Sequence, residues 1–232
     1  MKKIKWFRYV IFLLVMWGTF YWVPIKLFLT SLGKEKPPIT VIENKPLLQL
    51  IKDKTEVKIK NIKISETEQP FAIMVGIPTQ PQLVISRAVY NSFSPSALEY
   101  VVIHEAGHYR FWHGLIEVIM MGILFIVGVI LIKKFKFNFI TVIILGLVGG
   151  ILLTQLGKVN EIKADEFTAK TMTNPRGMIE ATNNFRNYHG KRYTQNDNKI
   201  LEFLFYRSNP YDNRIKIAEQ ELQGRTLKSN LR

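Results

Sequence analysis

The chain has 232 residues, 32 Lys and Arg against 18 Asp and Glu, a net charge of +14 and no cysteine. The absence of cysteine excludes disulfides, cysteine-ligated zinc and thiol catalysis. The positive charge comes with no nucleic-acid-binding motif but with three long apolar stretches, so it points to anionic lipid headgroups rather than to nucleic acid.

The first stretch follows the basic start Lys2, Lys3, Lys5 and Arg8. From Trp6 to Val23 the chain is apolar and aromatic, about the length of a spanning helix, with Trp and Tyr suited to membrane interfaces. No small-x-small cleavage site follows, so residues 1–33 read as an anchor rather than a cleaved signal. Lys34 to Thr40, with Pro37-Pro38, reads as a linker.

Three short strands are then expected. Val57 to Ile64 alternates apolar and polar residues, and Phe71–Gly76 and Leu83–Ser86 are apolar runs separated by prolines. Together they suggest a small antiparallel sheet. Phe71–Gly76 is assigned the edge along a cleft, where an extended peptide can pair with its backbone; an ordinary core strand is the other reading.

Ser94-Pro95-Ser96-Ala97-Leu98-Glu99 is a helix start, with Ser94 as N-cap and Pro95 in the first turn. The helix it opens contains His104-Glu105-Ala106-Gly107-His108. Residues four apart share a helical face, so the two histidines can grip one metal ion. Glu105 is then placed to take a proton from the water that the metal activates. A chain with 4 histidines produces this pattern by accident in about one case in a hundred.

Leu115–Ile132 and Phe137–Leu156 are the second and third apolar stretches, separated by Lys133, Lys134 and Lys136. They predict a spanning hairpin, with Gly146 and Gly150 letting its two limbs approach closely. Beyond it, Glu161 and Asp165 are again four apart. A solvated acidic face is the usual meaning of such a pair. Set beside the histidine motif, Glu161 reads as the third metal ligand, and Asp165 as the acceptor that fixes the tautomer of a ligand histidine. His108 and Glu161 flank the hairpin at its two ends, which places both within roughly 10 Å of one membrane face. A helix is expected over Gly177–Tyr188, a polar loop over His189–Asn198, an apolar helix over Lys199–Arg207, and fraying in the last ten residues.

At these residues the chain resembles the HtpX and CAAX-prenyl-protease family of membrane zinc metallopeptidases. The likeness rests on His104–His108, on Glu161-x-x-Ala164-Asp165 and on Ser208-Asn209-Pro210-Tyr211-Asp212-Asn213-Arg214-Ile215, and spans roughly residues 70–220. His113 stands where that family often has a further histidine. Asn209 departs from the family's usual histidine: an amide can donate to an oxyanion but cannot deliver a proton. The resemblance implies an α+β, zincin-like metallopeptidase domain with one Zn²⁺ held by His104, His108 and Glu161, and the three apolar stretches add three transmembrane helices. It implies Glu105 as general base, Asn209 near the oxyanion, and Asp165, His113 and Arg214 around the ligands. Arg214 either pairs with a carboxylate of the site or meets a substrate carbonyl; the ion pair is the favoured reading.

The resulting division is 1–33 anchor, 34–114 sheet and motif helix, 115–157 hairpin, and 158–232 third-ligand helix and remainder. The expected function is cleavage of proteins or peptides at the membrane surface, with no nucleic-acid partner and no stated oligomeric state. A sensor protease of the BlaR type and a catalytically silent membrane interaction protein are the alternatives. The basic start and the basic inter-span loop place the N-terminus and that loop in the cytoplasm of a multi-pass cell-membrane protein, and the catalytic part outside. HtpX-type proteases have two N-terminal spans and a cytoplasmic site; one span here predicts the opposite face. Lys26, Lys34 and Lys36 count toward a cytosolic site instead.

Overall fold

The computed structural model describes residues 2–21, 37–76, 80–189 and 211–230. Asn209 and the apolar segment Lys199–Arg207 lie outside them. The described residues fall into two compact units: one gathers 2–21 with 114–159, the other 37–76, 80–113, 160–189 and 211–230.

The first unit is helical. It contains α1 (Lys2–Phe20) and the apolar parts of α5 (His113–Phe135) and α6 (Phe139–Thr171). Helices α5 and α6 are long and apolar enough to cross a membrane; the apolar part of α1, Trp6–Phe20, is shorter. Large apolar side chains such as Ile126 (59% exposed) and Ile140 (68%) face outward. That surface suits lipid, whereas water would penalise it. Phe12, Met16, Phe20, Ile132, Val142 and Leu153 form the buried seam.

The glycines of α6 serve a different contact from the one the sequence suggests. A Cβ at Gly146 would meet Val15 and the Phe12 carbonyl, and one at Gly150 would meet Thr19 and the Met16 carbonyl. The stripe therefore admits α1, not the other limb of the hairpin. Phe12 also fills the space above Gly128 of α5. The contacts rise together along both chains, so α1 runs parallel to α6. At the lower end Arg8 Nη1 donates to the Phe137 carbonyl (2.9 Å), in the turn between α5 and α6. There Lys136 takes a left-handed φ of 50° and Asn138 caps α6 by accepting from Thr141.

The second unit is α+β. Its strands are β1 (Ile39–Ile42), β2 (Ile62–Ser65), β3 (Ala72–Val75) and β4 (Gln82–Ser86), in the order β1-β2-β4-β3. The β1/β2 and β3/β4 pairs are antiparallel, but β2/β4 is parallel, so the sheet is mixed and not the antiparallel one expected. The cause is the β3–β4 hairpin, which folds β4 back between β3 and β2. β3 is followed by Gly76 at φ 105°, where a Cβ would stand 2.4 Å from the Gln80 carbonyl oxygen. The expected Val57–Ile64 strand is paired only from Ile62. Before it comes an unexpected helix, α2 (Lys45–Thr55), N-capped by Asn44 and closed by Glu56 in a left-handed conformation. β1 occupies the end of the predicted linker.

One face of the sheet supplies Ile62, Ile64, Leu83 and Ile85, all fully buried. They pack with Leu47 and Ile51 of α2 and with Val101, Val102, Ile103 and Ala106 of α4 (Pro95–Arg110). Ser94 caps α4 as expected, its Oγ accepting from the Ala97 N–H at 3.2 Å. A short helix α3 (Arg87–Ser92) leads in, and α7 (Arg176–His189) and α8 (Tyr211–Asn230) complete the unit. α8 continues to Asn230, through most of the stretch where fraying is expected.

Two long-range contacts hold the far end of α6. Glu99 accepts from Thr173 N–H and Oγ (2.9 Å each), and the Arg225 guanidinium donates to the carbonyls of Ala169, Met172 and Thr173. They satisfy carbonyls and donors that a helix end leaves open.

Candidate metal centre

Two helices of the second unit bring the chemistry together. α4 presents His104 and His108 from successive turns, and α6 presents Glu161 and Asp165 in the same way. One metal-binding atom from each of His104, His108 and Glu161 lies within 4.8 Å of the other two. His104 Nε2 is 3.2 Å from His108 Nε2 and 3.6 Å from Glu161 Oε2, and His108 Nε2 is 3.4 Å from Glu161 Oε1. A tetrahedral zinc with ligands at 2.0–2.1 Å has ligand-to-ligand edges of about 3.3–3.4 Å. Two imidazoles and a carboxylate at this spacing fit zinc in both size and donor type.

Asp165 is fully buried, which rules out the solvated acidic face as its setting. Its Oδ1 lies 2.9 Å from His104 Nδ1 and accepts the Tyr100 hydroxyl at 2.8 Å. Its Oδ2 lies 3.2 Å from Arg214 Nε, and Arg214 Nη2 donates to Glu161 Oε2 at 3.0 Å. Arg214, from α8, thus meets both carboxylates, the first of the two alternatives left by the sequence. His113 Nδ1 stands 3.0 Å from His108 Nδ1, behind the second histidine, with its ring stacked on Phe111. Glu105 is half-buried, and its Oε2 accepts the Met74 N–H of β3 at 3.2 Å.

The charges are strongly coupled. Burial opposes a proton on His104, but Asp165 and Glu161 outweigh it and raise the imidazole to about 10. Burial and the neighbouring His104 lower His108 to about 3. Burial would raise Glu161, yet the two histidines and Arg214 hold it well below the usual carboxylate range. Burial raises Glu105 to about 7, the range in which a carboxylate can take and return protons near neutrality. With Asp165 beside Nδ1, the second proton that the carboxylates favour on His104 belongs on Nε2, the atom that faces His108 and Glu161.

Among the described residues, Tyr100 is a member of this network that sequence reasoning missed. Its signal was its place one turn before His104 on the same face of α4.

The model of peptidase family M48 matches residues 45–222, a span that contains every residue of this cluster. Among solved structures, the crystal structure of S. mikatae Ste24p aligns with a TM-score of 0.60 and 17% identity, over 94% of this chain and 57% of that one. At that identity the likeness is one of fold, and this chain spans just over half the length of that protein. Comparison with curated proteins gives no match.

Proposed function

Since the chain belongs to peptidase family M48, we propose that it is a membrane-bound zinc endopeptidase that cleaves proteins or peptides at the membrane surface. The observation that carries this reading is the His104–His108–Glu161 triangle, with edges near those of a tetrahedral zinc site and Glu105 next in sequence to the first ligand.

Zinc, when bound, supplies Lewis acidity that lowers the pKa of water and polarises a carbonyl. The protein's own groups do the rest. Glu105 takes the proton from the attacking water and passes it to the leaving amine. Asp165 holds the His104 proton on Nδ1, so that Nε2 is free to bind the metal; His113 stands behind His108 in the corresponding place. Arg214 neutralises Glu161 and Asp165 together, and Asn209 is assigned to the oxyanion.

The peptide is assigned to β3. Ser86 N–H donates to the Phe71 carbonyl across the β3/β4 pair, so alternation turns the N–H and C=O groups of Ala72 and Met74 to the free edge. An extended substrate pairing there lies beside Glu105, which already meets the Met74 N–H. A membrane-associated substrate follows from a ligand-bearing helix, α6, whose first half is long and apolar enough to span.

We assign three crossings, with the N-terminus cytoplasmic and the catalytic unit outside. The contact of Arg8 with the α5–α6 turn supports this, because it gathers the basic start and Lys133, Lys134 and Lys136 at one end of the helical unit.

The test is zinc content and casein or peptide cleavage by detergent-purified protein, wild type beside Glu105→Gln. The variant keeps zinc and loses cleavage by about 10²–10⁴-fold. A wild type without zinc refutes the ligand set; a zinc-loaded wild type that cuts nothing refutes the peptidase reading.

A further inference from the structure

Among the described residues three groups approach the two oxygens of Asp165, and of these the Tyr100 hydroxyl makes the well-formed hydrogen bond. The Tyr100 hydroxyl and His104 Nδ1 both address Oδ1, at 2.8 and 2.9 Å, while Arg214 Nε addresses Oδ2 at 3.2 Å. A guanidinium favours taking both oxygens of a carboxylate in a fork. The terminal torsion of an aspartate is soft enough to allow that turn. If Asp165 yielded to Arg214 in this way, Oδ1 would swing from His104. Among the described residues the group that resists is the Tyr100 O–H, which holds Oδ1 on the histidine side. Tyr100 is itself fixed: it is 2% exposed, and its ring lies 5.7 Å from that of His104, one turn along α4.

We propose that Tyr100 is a positioning residue of the metal centre, its hydroxyl holding Asp165 in the orientation that keeps the His104 proton on Nδ1 and Nε2 open to the metal. The inference rests on the zinc-site reading above and adds a residue that acts only through Asp165. A plain core aromatic would explain the burial of the ring, and phenylalanine would then serve equally. A buried hydroxyl needs a partner, and this one has Asp165.

The experiment is a double-mutant cycle on full-length protein in detergent: wild type, Tyr100→Phe, Asp165→Asn and the double variant. Zinc affinity of each is measured by competition with a chelating dye, starting from the metal-free protein. Tyr100→Phe weakens zinc binding by up to about tenfold, no more than Asp165→Asn does, because the ligand's own outer partner is Asp165 and Tyr100 acts through it. In the Asp165→Asn background the same change costs nothing further, because the carboxylate it orients is gone. The cobalt-loaded Tyr100→Phe protein shows a visible spectrum shifted from that of the wild type, since the His104 ring is no longer held. Equal zinc affinity of wild type and Tyr100→Phe overturns the inference and leaves the zinc site standing. A tenfold loss in both backgrounds also overturns it, because Tyr100 then supports the fold and not Asp165. A wild type that binds no zinc overturns the site reading and this inference with it.

Discussion

Replacing Arg214 with methionine keeps most of the side-chain bulk and removes the cation that Glu161 and Asp165 share. All three groups are largely buried: the Arg214 side chain is 13% exposed, Glu161 18% and Asp165 0%. Breaking such a pair from one side costs about 3–5 kcal/mol, because the remaining charge stays buried without its partner. For a protein of this size each kcal/mol lowers Tm by roughly 2–4 °C, so the metal-free variant should melt about 6–20 °C below the wild type. Zinc changes the sum. Binding replaces the Nε2 proton of the charged His104 by a doubly charged ion and leaves the Nδ1 proton in place, so the site gains one positive charge beside the same two carboxylates. At 4 Å and an effective dielectric of 20 a unit charge is worth about 4 kcal/mol, comparable with what Arg214 supplied. The deficit should therefore be large in chelator and much smaller at saturating zinc. By linkage, zinc stabilises the variant more than it stabilises the wild type. Thermal unfolding of both proteins, with chelator and with excess zinc, reads both quantities. An unchanged Tm in chelator would refute the shared-cation argument, and an equal drop in the two conditions would refute its link to the metal.

Gly177→Ala should destabilise the second unit by about 1–3 kcal/mol, because its Cβ would meet the Ser96 carbonyl, a backbone group that cannot swing away. Gly107→Ala, inside the metal motif, should cost less, since the nearest atom is Phe167 Cδ1 at 3.2 Å on a side chain that can shift. Urea unfolding ranks the two, and the reverse order would contradict the packing. The chain has no cysteine, so a Val15→Cys/Gly146→Cys pair can be read without background. The Val15 Cβ lies 3.0 Å from an ideal Gly146 Cβ, so once the helices part by the roughly 0.5–1 Å that a disulfide's Cβ span asks for, mild oxidation should cross-link α1 to α6; failure to do so counts against the glycine-stripe contact.

The metal cluster was readable because it depends on local geometry. Four-residue spacing on a helix puts His104 with His108, and Glu161 with Asp165, whatever the rest of the chain does. How the two pairs meet is not local, and only their chemistry suggested it. The sheet order was not readable, since strand pairing is set by partners distant in sequence: three apolar runs do not say that β4 will lie between β2 and β3. Helix α2 was hidden by its shortness and by its neighbours; Asn44 followed by Pro46 was the available start signal. The Gly146/Gly150 stripe announced a close helix contact but not which helix would fill it. Tyr100 was missed because an aromatic one turn before a ligand is usually core, and only the buried carboxylate opposite gives its hydroxyl a task.

The order of the ligands along the chain has a consequence for how the protein is made. His104 and His108 precede both apolar helices, and Glu161 follows them. Asp165 and Arg214 come later still, so a growing chain that has delivered both histidines holds an incomplete ligand set with no anionic partner. Metal capture is then a late event in biogenesis, delayed until the segment between the histidines and Glu161 has been synthesised and placed. Until that point His104, His108 and Glu161 cannot stand together, so the three groups that would hold a metal are assembled only after both apolar helices have been made.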